Sequence, residues 1–178
     1  GEEPKHPTWN RLLEHCGVEL NEYIPELPWC KDWGIVTGGH YLLAWVACMI
    51  PNPYSKLPYL FMYGPQNSGK TSFHEGLALL FTNGVVKADR ALTSQYNGEL
   101  SNAILAVIDE VDVNKTGPDV YNKLKEWVTG EMLAIHAKYK QVETVRSTLH
   151  FVQGANNRDA LPVFPGDTRI TAMNVPTL

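Results

Sequence analysis

The stretch "GPQNSGKT", Gly64 to Thr71, directly behind the apolar run "YLFMY", constrains this chain more than any other segment. Glycines at its first and sixth places let the backbone curl so that its N–H groups point inward at an anion, which few other residues permit. The lysine and hydroxyl that follow complete a P-loop pattern. In that arrangement the loop amides and the next helix N-terminus wrap a β-phosphate, the lysine reaches the β and γ oxygens, and the hydroxyl ligates Mg²⁺. With glycine near 7% of residues, a chance match in 178 residues is on the order of one per cent or less. The loop therefore predicts a strand before it and a helix after it. It also predicts ATP with Mg²⁺ as ligand, with Gly64, Pro65, Gln66, Asn67, Ser68, Gly69, Lys70 and Thr71 around the phosphates.

The rest of the chain has the texture that such a loop requires. From Tyr59 onward short apolar strands alternate with helical patterns, the signature of an α/β domain whose central, mainly parallel sheet is flanked by helices. "NAILAVIDE" and "TLHFVQGANN" read as strands buried on both faces. Thr71 to Phe81 reads as a helix with Phe73, Leu77 and Leu80 inward, and Val120 to Val128 as a second with Tyr121, Leu124 and Val128 in register. "MLAIHAKYKQVETV" reads as a hairpin with a basic tip, and "FPGDTRITAMNV" as a turn and a last strand. Before Pro53 the pattern is helical and broken by prolines, so the division expected is an N-terminal helical accessory region over residues 1–53 and an ATPase domain over 54–178. "HYLLAWVACMI" is too short for a bilayer, which needs about 20 apolar residues, and reads as a core helix. "GEEPKHP" lacks a basic-then-apolar signal, so a cytosolic or nuclear setting, and no membrane, is expected. Cys16, Cys30 and Cys48 are odd in number and lack metal spacing, which predicts three buried, reduced thiols.

Net charge is −4, so attraction to nucleic acid requires a local basic patch. The hairpin supplies one, with His136, Lys138, Lys140 and Arg146 against Glu143; a solvated surface hairpin is the other reading. Asp109, at the end of a buried strand, stands where a carboxylate holding Mg²⁺ belongs, and Glu110 beside it can poise a water for attack on the γ-phosphate. Such a pair can also simply cap a strand. Asn156 leaves another central strand, where it can bond the attacking water or the γ-phosphate, although "ANNRD" is also an ordinary turn. Arg169 follows a Gly166-Asp167 turn. It can reach a neighbouring chain's γ-phosphate, or pair with a surface acid.

In their order, "GPQNSGKT", "ILAVIDE", "WVTGEMLAIHAKYK" and "LHFVQGAN" resemble the superfamily 3 helicases, the hexameric AAA+ motors of small DNA viruses and plasmids. "ANNRDALPVFPGDTRI" brings the chain nearest to the helicase part of primase-helicase proteins of phages and large DNA viruses. The resemblance spans about Leu57 to Val175. It implies an AAA+ P-loop NTPase fold and ATP-driven movement of a homo-oligomeric ring, a hexamer, along single-stranded or forked DNA in a cytoplasmic or host-cell replication compartment, with a primase domain or protein as partner. It assigns Lys70 and Thr71 to motif A, Asp109 and Glu110 to motif B, Asn156 to the sensor and Arg169 to a finger acting in trans. The hairpin becomes the DNA-gripping element, with Lys138 at its tip and Tyr139 where related proteins often carry histidine; a tyrosine there can stack on a base or sugar. A DNA-loading or initiator ATPase shares every one of these motifs. A P-loop small-molecule kinase shares the loop but also needs an acceptor pocket and a lid.

Overall fold

The computed structural model describes residue 2 and residues 5–178; Pro4 and part of the "GEEPKHP" segment lie outside the described residues. Three helices lead, α1 (Pro7–Cys16), α2 (Pro28–Asp32) and α3 (Gly38–Cys48), joined by 3₁₀ turns. Proline opens both α1 and α2, where its missing N–H costs nothing and its φ suits the first turn. Thr37 caps α3: its Oγ1 accepts from the His40 amide at 3.1 Å and donates to Glu14 at 2.8 Å.

The remaining elements are β1 (Tyr59–Tyr63), α4 (Lys70–Phe81), β2 (Val85–Lys87), α5 (Asp89–Thr93), β3 (Leu105–Ile108), α6 (Pro118–Thr129), the hairpin strands β4 (Met132–Ile135) and β5 (Glu143–Arg146), β6 (His150–Ala155) and β7 (Ile170–Asn174). Five of the strands form one sheet in the order β2-β3-β6-β1-β7, and every pairing in it is parallel. The antiparallel pair β4-β5 stands apart from it. No helix among the described residues is long and apolar enough to cross a membrane.

Continuous apolar runs form the central strands because both faces are covered, and alternate residues enter different cores. Leu60, Met62, Leu105, Val107 and Val152 pack with α4 and with Leu13, Cys16, Leu42 and Trp45 of the leading helices. Tyr59, Phe61, Ala106, Ile108 and Phe151 pack with α5, α6 and the inward residues of the hairpin, Leu133 and Ile135. The helices before Pro53 thus share a core with β1, the strand that leads into the glycine loop. Trp45 Nε1 also donates to the Pro58 carbonyl at 2.8 Å, tying α3 to the entrance of β1.

Two expectations about burial are corrected. Leu80 is 64% exposed, because the inward stripe of α4 runs Phe73, Leu77, Phe81 at four-residue spacing and turns Leu80 outward. Cys48 is exposed at the last turn of α3, whereas Cys16 and Cys30 are buried; all three are free. In α6 the buried residues are Leu124, Trp127 and Val128, with Tyr121 only partly covered.

Candidate nucleotide site

Parallel register brings the carboxyl ends of β1, β6 and β3 side by side, the edge at which α/β sheets bind ligands. Gly64 leaves β1, Asn156 leaves β6 and Asp109 leaves β3, so three distant segments meet at one place. The loop after β1 is closed by positive φ at Asn67 (59°) and Gly69 (96°), and its end becomes the first turn of α4 through the Phe73 amide bonded to the Gly69 carbonyl at 3.2 Å. Gly64 is required for a second reason: a Cβ there would lie 2.2 Å from the Val175 carbonyl oxygen, a main-chain atom that cannot step aside. The leading helices also brace the loop. His15 Nε2 lies 2.9 Å from the Ser68 carbonyl and 3.1 Å from that of Pro176.

Lys70 Nζ donates to the Gly64 carbonyl (2.8 Å), the Pro65 carbonyl (2.6 Å) and Ser68 Oγ (2.9 Å). The ammonium is therefore satisfied by its own loop and stands at the mouth of a cavity of about 450 Å³ lined by residues 66–72, Asp109, Gly154, Asn156 and others. Burial pulls the Lys70 pKa down, and the Asp109 carboxylate opposes that pull. Burial pushes the Cys16 thiol up to about 11 despite the nearby Lys70 charge, so it remains a neutral packing group.

Lys70, Thr71, Asp109 and Asn156 all line this cavity. Gly154 also lines it; a Cβ there would sit in ordinary contact with Asp109 Oδ1 (3.5 Å) and Lys70 Cβ (3.9 Å). The donors that face the space fit Mg²⁺-bound phosphates, since a hydroxyl and a carboxylate are hard oxygen ligands and Mg²⁺ is held by one or two of these plus the substrate's phosphates. No group of three or more His, Cys, Asp or Glu able to cage a metal occurs among the described residues. Glu110 is placed differently: its side chain is exposed and does not line the cavity.

Two residues of this site escaped the sequence reading. Lys87, ending β2, lies 3.6 Å from Asp109 Oδ2. Asp89, opening α5, accepts main-chain N–H groups of the segment that carries the acids: Glu110 at 2.8 Å and Val111 at 2.9 Å on Oδ1, and Asp109 at 3.1 Å. Lys87 and Asp89 are ordinary polar residues behind a short apolar run in the sequence, and nothing local foretells that β3 delivers its amides there.

Arg169 sits elsewhere. It precedes β7, whose first residue pairs with Tyr59, so it lies at the amino edge of the sheet, about 17 Å from the loop over the length of β1. There its Nε and Nη2 form a two-pronged pair with Asp167 at 2.8 and 2.6 Å, which holds the Asp167 carboxyl below its ordinary range. Of the two readings above, the acid partner is the one found within the chain, and Arg169 is not among the residues that line the cavity.

The hairpin turns through residues 136–142, with a left-handed Tyr139 (φ 63°) fully in solvent between Lys138 and Lys140. His136 is half-buried against the Tyr96 ring, 5.0 Å between centroids, and Lys138 Nζ lies 5.7 Å from the same ring. Arg146 is not part of the tip: register places it opposite Met132 at the open end, its guanidinium 4.1 Å from the Tyr54 ring. Asn97, buried, holds β4 by three bonds: its amide to the His136 carbonyl (3.0 Å), its Oδ1 from the His136 amide (2.7 Å) and its Nδ2 to the Ala134 carbonyl (2.9 Å).

Residues 62–169 match the family described as a family of unknown function, DUF5906, and the chain belongs to it. Among characterised proteins, it is 28% identical over 119 residues to the DNA primase-polymerase of Nitratiruptor phage NrS-1, covering 65% of this chain and 16% of that protein. The fold is shared with solved structures of the NrS-1 C-terminal region: one superposes with a TM-score of 0.71 at 22% identity, covering 98% of this chain and 39% of the other. A JCV helicase shares it more loosely, at TM-score 0.50 and 13% identity over 99% of this chain and 47% of that one. The chain thus spans about a sixth of the phage protein it matches.

Proposed function

We propose that this chain is the ATP-hydrolysing motor of a replicative DNA helicase, of the AAA+ superfamily 3 type, working as a hexameric ring on single-stranded or forked DNA alongside a primase activity. The observation that carries the reading is the cavity at the carboxyl edge of the sheet, where Lys70, Thr71, Asp109 and Asn156 converge from three separate segments. The likeness to a DNA primase-polymerase, and of fold to a viral helicase, supports replication as the setting.

In this mechanism the loop amides and Lys70 hold the β- and γ-phosphates, and Thr71 with Asp109 holds Mg²⁺, which when bound neutralises phosphate charge and aligns the triphosphate. Lys70 exchanges bonds to Gly64 and Pro65 for bonds to phosphate. Glu110 turns from solvent to take the proton of the attacking water, and Asn156 orients that water or the γ-phosphate. Arg169 leaves Asp167 and enters the cavity of the next subunit. That the finger lies about 17 Å from its own loop, on the opposite sheet edge, supports action in trans. The tip residues Lys138, Tyr139 and Lys140, with His136 behind them, grip the DNA backbone and stack on its bases.

The test is ATP turnover together with strand displacement on a forked duplex, for the wild type and Glu110→Gln. The wild type unwinds and hydrolyses; Glu110→Gln binds ATP and does neither. Normal turnover by the glutamine variant would remove Glu110 from its role, and turnover with no unwinding would make the chain a DNA-loading ATPase.

A further inference from the structure

The nucleotide cavity and the hairpin are joined by one short stretch of chain, residues 89–97, tied down at both ends by hydrogen bonds. At its start, Asp89 Oδ1 gathers the amides of Glu110 (2.8 Å), Val111 (2.9 Å) and Asp109 (3.1 Å), so the peptide groups around both acids turn on this one carboxylate. At its end, Asn97 bonds His136 twice and Ala134 once, with Tyr96 packed edge-on against the His136 ring. Between them the stretch is stiffened. Lys123 Nζ, from α6, donates to the Ala91 and Ser94 carbonyls, each at 2.7 Å, closing the free end of α5, and Ser94 Oγ accepts from the Tyr96 amide at 3.0 Å.

We propose that residues 89–97 are the transmission between the ATP site and the hairpin, with Asp89 a positioning residue for Asp109 and Glu110 and Asn97 the coupling to the DNA-gripping tip. This rests on the ATPase reading above. The physical basis is that three N–H groups sharing one carboxylate cannot shift without moving it or losing charge-assisted bonds. When Glu110 swings toward a γ-phosphate, its peptide group turns, Asp89 follows, and a braced nine-residue stretch carries the displacement to the Asn97–His136 pair.

The experiment has two arms on the whole chain. First, backbone hydrogen exchange of residues 134–140 is followed with and without saturating Mg²⁺ and a non-hydrolysable ATP analogue, in the wild type and in Asp89→Asn. Asparagine retains Oδ1 as an acceptor and keeps the fold, but loses the charge. The hairpin amides change exchange rate at least threefold on nucleotide binding in the wild type and less than 1.5-fold in Asp89→Asn. Second, the factor by which single-stranded DNA stimulates ATPase is measured for the wild type, Asp89→Asn, Asn97→Ala and the double variant. Each single change lowers that factor at least fivefold, and the double lowers it no further than the worse single, since both cut one link. Losses that multiply, or wild-type hairpin amides indifferent to bound nucleotide, overturn the transmission while leaving the ATPase reading intact. A wild type that neither binds nor hydrolyses ATP overturns both.

Discussion

Replacing Lys70 with methionine keeps the length and apolar stem of the side chain and removes only its ammonium. In the proposed ATP complex that ammonium makes two charge-assisted bonds to phosphate oxygens, together worth about 3–6 kcal/mol. Those bonds are not all gain, because in the free loop Nζ already donates to the Gly64 and Pro65 carbonyls and to Ser68 Oγ. Two of these must be surrendered, and the freed carbonyls return to water at the cavity mouth, which offsets roughly a third of the total. A net loss of about 2–4 kcal/mol remains, which is about 30- to 700-fold in affinity at 1.4 kcal/mol per tenfold. Titration with a fluorescent ATP analogue in Mg²⁺ measures it, with a melting curve confirming that the variant is folded. An affinity within threefold of the wild type would refute the reasoning and leave Lys70 as a staple of its own loop.

The remaining expectations concern pH and assembly. His74 is buried with Nε2 unpartnered, and burial, the largest influence, lowers its pKa below the ordinary 6.5. Below that value the unfolded chain takes up a proton that the folded ring refuses, so stability is full above pH 6.5 and falls as the pH drops through it, by at most about 1.4 kcal/mol per unit until the folded ring titrates too. Melting temperatures between pH 7.5 and 5.5 show this decline, and His74→Gln flattens it; an equal slope in both proteins would contradict the assignment. Arg169→Ala and Lys70→Ala are each inactive alone, yet an equimolar mixture recovers up to about a quarter of wild-type turnover, because one interface in four then pairs an intact loop with an intact finger. No recovery on mixing would leave Arg169 as the partner of Asp167 alone.

Those parts of the molecule governed by local rules were legible in the sequence. The glycine loop needs positive φ and close backbone approach at fixed positions, and doubly buried strands need unbroken apolar runs, so β1, β3, β6 and the elements around the loop were found where the patterns placed them. The hairpin was legible from its alternating pattern, although its turn places a left-handed backbone on Tyr139 and not on Asn or Gly. Tertiary placement was not legible. Asp89 and Asn97 are ordinary polar residues in sequence, and their importance arises only when β3 and β4 present amides and carbonyls to them. Proximity in sequence puts Arg146 with the basic tip, whereas the register of the hairpin carries it to the far end. Leu80 is expected inward and found outward because three- and four-residue spacings are equally helical, and only the packing of Phe81 chooses between them.

ATP turnover per chain, followed as protein concentration is raised in the presence of single-stranded DNA, bears most directly on the central claim that a cavity in one subunit is completed by Arg169 of the next. Turnover that is negligible at high dilution and climbs to a plateau as rings assemble is the predicted result. A rate per chain that stays constant and high down to the lowest concentration would mean that a single copy holds everything the reaction needs.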